Sequence, residues 1–463
     1  MTQAKKGNLF GLSGSVKDQL AQKMLEKRLK KVTETQLNNA EGEGKSEGSR
    51  SRKSLLGNSK ISDDFCRFDK FPGYQQIRIL EEGGKQLGVP SPFFKVHEGI
   101  ASNVTRIAGE EYINFASYNY LDLCGHPDVS EAAKNAIDQY GTSASASRPV
   151  AGERPIQRDL EIALAKLYDV DDSIVFVSGH ATNVTTIGYL FGPKDLILHD
   201  SLIHNSIVQG GQLSGATRLP FPHNDWQALD ELLFQQRKNY ERVLIVIEGI
   251  YSMDGDYPDL KRFIEIKQRH KAFLMVDEAH ALGVLGEKGH GIKEHAGIDG
   301  YEVDLWMGTL SKTLASCGGY IAGEKALIEH LKFSAPGFLY SVGISPPLAA
   351  SALTALKLMD DEPERVTQLK ERGHQFIALA QKQGLNIGSS AGLSVIPVIT
   401  GSSAMAGRLA NACFEQGINV QPIFYPAVQE GMARLRFFIC SSHTEEQIEH
   451  TVTVLAEEMA KLK

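Results

Sequence analysis

At 463 residues the chain is long enough for two or three domains at roughly 100–200 residues each. Its 42% hydrophobic and 23% charged residues are ordinary for a globular protein, and a net charge of −7 with a pI near 6.1 argues against nucleic acid as a partner, since phosphate neutralisation needs a surplus of Lys and Arg. The five cysteines, Cys66, Cys124, Cys317, Cys413 and Cys440, are odd in number and far apart with no Cys-x-x-Cys pair, so neither a disulfide frame nor a zinc site is expected and a cytoplasmic setting is.

In chain order, residues 1–60 read as a basic N-terminal extension. Val16, Leu20, Met24, Leu25, Leu29 and Val32 recur at helical spacing among Lys17, Lys23, Lys27, Arg28, Lys30 and Lys31, the pattern of a basic amphipathic helix. The polar run from Glu41 to Lys60 reads as a flexible linker. No apolar signal-peptide core lies in the first 30 residues and no run approaches the ~18 apolar residues of a membrane span, which predicts a soluble protein with peripheral membrane contact left open.

Residues 61–111 are taken as a segment packing on the core and 112–340 as a large domain. Within it helical patterns alternate with apolar runs at Ile174–Val177, Leu196–Leu198, Val243–Ile247, Phe273–Val276 and Leu305–Met307. Strands apolar on both faces and separated by helices predict an α/β domain with a mostly parallel sheet covered on each side. Residues 341–463 change to long helices with strand-like runs at Val395–Ile399, Val420–Phe424 and Leu435–Cys440, a smaller α+β domain.

The chemistry-bearing motifs follow the strand runs. In Met307-Gly308-Thr309-Leu310-Ser311-Lys312-Thr313 a lysine stands three residues after a threonine, beyond a strand and ahead of Cys317-Gly318-Gly319. A Schiff-base lysine needs a fixed amine, hydroxyls for a phosphate and small residues that leave room for a ring; the bland alternative is a solvated loop lysine. In Phe273-Leu274-Met275-Val276-Asp277-Glu278-Ala279-His280 an aspartate emerges from buried apolar residues and needs a partner for its charge. A protonated pyridine nitrogen is such a partner and stays able to accept electrons; His280 could reach a phenolic oxygen on the same ring. The bland reading is a helix-capping Asp. The Asp-Glu-Ala-His spelling also matches a helicase box, but the one Gly-Lys-Ser, at 44–46, lacks the leading glycine and the preceding strand of a phosphate loop.

Val177-Ser178-Gly179-His180-Ala181 closes a strand and opens a helix, where free N–H groups bind phosphate. His199-Asp200-Ser201-Leu202-Ile203-His204 offers a ring to stack on a pyridine, and Glu248-Gly249-Ile250-Tyr251-Ser252-Met253-Asp254-Gly255-Asp256 offers Ser252 to its oxygen side. All these loops follow carboxyl ends of strands, where open α/β sheets bind ligands.

With Ser117-Tyr118-Asn119-Tyr120-Leu121 and Arg434-Leu435-Arg436 added in order, the sequence resembles the α-oxoamine synthases, which include 8-amino-7-oxononanoate synthase, 2-amino-3-ketobutyrate ligase, 5-aminolevulinate synthase and serine palmitoyltransferase, over roughly three quarters of the chain from Tyr112 on. The resemblance implies the fold type I architecture of transferases that use pyridoxal 5′-phosphate (PLP), and a homodimer with PLP at the subunit interface. It implies Lys312 as the Schiff-base residue and Cα base, Asp277 on the pyridine nitrogen, His280 and Ser252 beside the phenolic oxygen, and His204 on the ring face. Thr309 and the backbone of Gly179 and His180 would hold phosphate, Arg436 would clamp the amino-acid carboxylate ahead of Arg434, and Asn119 would reach the substrate from the partner chain. The implied activity is condensation of a small amino acid with an acyl thioester, on coenzyme A or an acyl carrier protein, with loss of carboxylate. Ser117–Tyr120 is most similar to serine palmitoyltransferases and polyketide-type synthases, implying a long acyl donor. Two rivals are another fold type I reaction, by an aminotransferase or aldolase, and a non-catalytic partner subunit of a heterodimeric synthase, which would lack the lysine.

Overall fold

The computed structural model describes residues 62–86, 91–425 and 427–462. The expected basic helix and the linker lie outside those residues. Two compact units divide at Phe94 and Lys95. The first carries the helix Pro72–Gln86, preceded by short turns in which the Ser62 hydroxyl accepts the Asp64 N–H.

The second unit opens with a hairpin, β1 (Val104–Ile107) and β2 (Glu110–Asn114). Then follow β3 (Asp172–Phe176), β4 (Leu196–Asp200), β5 (Thr217–Phe221), β6 (Val243–Glu248), β7 (Phe273–Asp277), β8 (Leu305–Thr309) and β9 (Gly319–Gly323). These form one seven-stranded sheet in the order β3-β9-β8-β7-β6-β4-β5. Only β9 runs against its neighbours, so the α/β fold with a mostly parallel sheet stands as the sequence indicated. The run Val243–Ile247 shows why. Val243, Ile245 and Ile247 enter one core with Leu260 and Phe263, while Leu244 and Val246 enter the other with Ile187, Ile207 and Leu331. Alternate residues face opposite sides, so an unbroken apolar strand marks a sheet buried on both.

Two strands of that sheet were not anticipated. β5 contains Pro220 and lies at an edge, where a missing N–H is tolerated. β9, Gly-Tyr-Ile-Ala-Gly, has glycines at both ends because its neighbour is close: a Cβ on Gly319 would lie 2.6 Å from Gly179 Cα.

The last strands are β10 (Val395–Gly401), β11 (Ile418–Asn419), β12 (Gln421–Ile423) and β13 (Ala433–Phe438). β10, β13 and β12 form an antiparallel sheet, and β11 pairs with β2. Of the expected run Val420–Phe424 only Gln421–Ile423 is strand, and Val420 separates it from β11, which serves a different sheet. β2 crosses residue 112, the expected start of the large domain, and bonds to the C-terminal part.

Candidate active site

The parallel strands bring their C-terminal ends to one edge, and a cavity of about 180 Å³ opens there. Gly179 and His180 reach it from beyond β3, His204 from beyond β4, Glu248 from the end of β6, Asp277 and His280 from β7, and Thr309 and Lys312 from β8. Seven of the ten expected site residues thus meet in one place by direct lining, all but Ser252, Arg436 and Asn119.

One end of the cavity is built for an anion. Helix Gly179–Leu190 begins there, capped by Ser178, whose hydroxyl accepts the Ala181 N–H. The first N–H groups of a helix have no intrahelical acceptor, and those of Gly179 and His180 stand at the lining. Thr309 is against them: a Cβ on Gly179 would sit 2.8 Å from its Oγ1. The Thr309 hydroxyl donates to the Gly318 carbonyl at 3.0 Å and accepts the Ser311 N–H at 3.2 Å. Gly319 serves this close packing of the helix start on a strand end, while a Cβ on Gly318 would meet the Phe176 carbonyl at 2.8 Å.

The other polar wall is acidic. Asp277 is 4% exposed and accepts from Asn183 Nδ2 at 2.9 Å and from the Ala279 N–H at 3.0 Å, with no Lys, Arg or His salt bridge among the described residues. The capping alternative does not apply, since turns follow Asp277 and the next helix is Ile292–Ala296. Glu248 is its register partner on β6 and accepts the His204 N–H at 2.6 Å. Burial, then the neighbouring Asp277 charge, pushes the Glu248 carboxyl well above its ordinary range. Burial lowers the Lys312 amine to about 8, against the opposing pull of Asp277 and Glu248.

Three rings complete the site. His280 Nδ1 is 2.6 Å from the Tyr120 hydroxyl, and burial, with the charges of Lys312, Arg436 and His204, drives its pKa well down. His204 Nδ1 meets Ser206 Oγ at 2.7 Å, and burial first, then nearby cations against Asp277, lowers its pKa. Tyr118 places its ring centroid 5.5 Å from Lys312 Nζ.

The two arginines of β13 differ. Arg434 bonds Asp254 at 2.7 Å and the Met253 carbonyl at 2.8 Å. Arg436 donates to the Ser252 carbonyl at 3.1 Å and lies 4.6 Å from the Phe438 ring centre; its Nε has no partner and no carboxylate pairs with it among the described residues. Ser252 therefore touches the site through its carbonyl and is not in the cavity lining. Asn119 is 6% exposed and turned into its own chain: its amide donates to the Ala101 carbonyl and Asp122, and its oxygen accepts from Leu123 and Cys124 N–H.

Glu248, Asn183, Tyr118 and Tyr120 were not picked out beforehand. Glu248 carried one available signal, a carboxylate ending a strand after five apolar residues, the same signal that marked Asp277.

Residues 110–455 match the family model for aminotransferase class I and II. Among curated proteins, the 8-amino-7-oxononanoate synthase of Fervidobacterium nodosum is 38% identical over 74% of this chain and 87% of its own length. That of Bacillus pumilus is 35% identical over 82% and 95%. Among solved structures, Sphingomonas wittichii serine palmitoyltransferase superposes with a TM-score of 0.80 at 29% identity, covering 84% of this chain and 98% of that one. A serine palmitoyltransferase from S. paucimobilis with bound PLP–myriocin aldimine gives 0.81 at 27% identity with the same coverage.

Proposed function

The chain belongs to the α-oxoamine synthase family of PLP-dependent enzymes, and on that premise we propose that it condenses serine, alanine or glycine with an acyl thioester to give an α-amino ketone. In the overall reaction the amino acid's Cα bonds to the thioester carbonyl carbon, the thiol leaves, and the amino-acid carboxylate departs as CO₂. The observation that carries the reading is that the Lys312 amine shares one cavity with Asp277, a carboxylate without a salt-bridge partner among the described residues, and with the helix-start residues Gly179 and His180.

The residues suit the cofactor. An anion cradle at the helix start, a carboxylate without a cation at Asp277, and an amine between them match a phosphate, a pyridinium nitrogen and an aldehyde. Thr309 with the Gly179 and His180 N–H groups would hold the phosphate, Asp277 the ring nitrogen, His204 one ring face, and His280 with Tyr120 the phenolic oxygen. When bound, PLP supplies an electron sink for bonds broken at Cα. Lys312 takes a proton at the substrate Cα and later returns one, a task suited to a base with a pKa near the working pH. Arg436 binds the amino-acid carboxylate in a charge-assisted, two-pronged contact, with Ser252 fixing the guanidinium from behind. Asn119 shapes the Tyr118–Tyr120 turn and acts on the substrate through it.

A homodimer is part of the proposal. Val150, Phe333, Tyr340 and Val342 stand exposed on segments joined by the Ser147–Val342 bridge, as protein contact surfaces do. The basic extension 1–60 is proposed to recruit the acyl donor, on an acyl carrier protein or at a membrane surface, in the cytoplasm. No helix of the described residues is long and apolar enough to cross a membrane.

The test is a panel of glycine, alanine and serine against acyl thioesters of several lengths on coenzyme A and on carrier protein. Thiol release with an α-amino ketone of the expected mass supports the reading. Amino transfer to an oxoacid without thiol release would move the chain to an aminotransferase.

A further inference from the structure

His223, in the loop after β5, stands between two carboxylates. Its Nδ1 lies 3.0 Å from Asp200 Oδ1 and its Nε2 lies 2.9 Å from Asp256 Oδ2. A neutral imidazole carries one N–H, so two ionised partners on its two nitrogens require the imidazolium. Asp200 also accepts the Leu202 and Asn224 N–H groups, at 2.8 Å each. The other groups facing the ring are the Tyr251 ring, edge-on at 4.5 Å, and the Asn224 amide.

The two carboxylates belong to two turns, one leading to His204, which lines the cavity, and one following Glu248 and holding both arginines of β13. Asp200 ends β4 and organises the turn that delivers His204, through its side chain to Leu202 N and its carbonyl to Ile203 N. Asp256 closes the turn after β6, its carbonyl accepting the Tyr251 N–H at 2.9 Å. Within that turn the Ser252 carbonyl holds Arg436 and Asp254 holds Arg434.

We infer that His223 is a positioning residue: as a cation it ties the His204 turn to the Ser252–Asp256 turn and thereby fixes Arg436 for the amino-acid carboxylate. The inference rests on the reading of Arg436 given above. Burial opposes the charge, yet the two carboxylates raise the His223 pKa to about 10, so the tie is closed at neutral pH.

The experiment is spectral titration of the PLP-loaded enzyme with glycine, L-alanine and L-serine, comparing His223→Gln, Asp256→Asn, Arg436→Lys and the double variant His223→Gln/Arg436→Lys. His223→Gln is expected to weaken the amino acid that binds by about tenfold while the acyl-thioester KM stays within about twofold. Asp256→Asn, which keeps the side-chain volume, should act in the same direction and stands in if His223→Gln does not fold. The double variant should bind no more weakly than Arg436→Lys alone, because a residue acting through another adds nothing once that other is changed. Fully additive losses in the double variant would overturn the inference and leave Arg436 as the anchor. Unchanged binding in Arg436→Lys alone would remove the anchor itself and the inference with it.

Discussion

Glu248 and Asp277 are register partners on adjacent parallel strands, so two buried carboxylates end side by side at the floor of one cavity. Two like charges there repel, and Glu248 is the one whose pKa rises, well above the carboxylate range. Both carboxyl groups thus face the same cavity as the Lys312 amine. Asp277→Asn is expected to keep some PLP and lose turnover by on the order of a hundredfold, the scale of a lost electrostatic or acid–base contribution. Glu248→Gln keeps the volume of a carboxyl that burial pushes towards its protonated form and should cost only a few fold. Steady-state rates of both variants check this; a Glu248→Gln loss equal to that of Asp277→Asn would mean the charge is shared.

Much of this site could be read from the chain. Asp277 ends and Lys312 follows a strand that is mostly buried, a context visible as an apolar run, and the parallel sheet was legible in Val243–Ile247 for the same reason. What escaped depends on contacts between distant segments. Asn183 is chosen by Asp277 94 residues away, and Tyr120 by His280 at a separation of 160. An amide in a turn is as useful to its own backbone as to a ligand, and Asn119 makes four hydrogen bonds within its own chain. β9 was hidden by its glycines, whose reason, the approach of Gly179, lies outside the strand.

Lys312→Ala should leave no lysine able to trap the cofactor. Borohydride reduction followed by peptide mapping is expected to find reduced cofactor on Lys312 in the wild type and on no residue in the variant. Because burial brings the amine to about 8, capture of added PLP by cofactor-free protein should accelerate with pH around a midpoint near 8. A midpoint near the ordinary lysine value of 10.5 would show an amine that the site does not tune.

The arginines of β13 predict opposite failures. Arg436→Ala is expected to raise the amino-acid KM by tenfold or more, from loss of a two-pronged carboxylate contact, with little change in unfolding. Arg434→Ala leaves Asp254, 9% exposed, without its ion-pair partner and should cost about 3–5 kcal/mol of stability, the range for breaking a buried pair. Denaturant unfolding and KM measured on both variants decide; a reversed pattern would reassign the clamp to Arg434.

The His223 tie also predicts how stability follows pH. Burial lowers its proton affinity, and the hydrogen bonds and charges of Asp200 and Asp256 overcome that, raising the pKa from the ordinary 6.5 to about 10. A group whose pKa is raised on folding binds its proton more tightly in the native state. Its stabilisation is therefore fully present below about pH 6.5 and is lost as pH climbs through about 10. Between those limits the native state holds a proton the unfolded chain has released, so stability from this group falls steadily with rising pH. His223→Gln has no such proton to hold. The wild type should exceed it in apparent Tm by about 2–4 °C or more near pH 6, the shift that roughly 1 kcal/mol brings in domains of about 150–250 residues. That margin should shrink through pH 8 and 9 and vanish above 10, with the slope confined to the wild type. A margin constant from pH 6 to 10.5 would show that the ring stabilises by packing alone and that the imidazolium is not what joins the two turns.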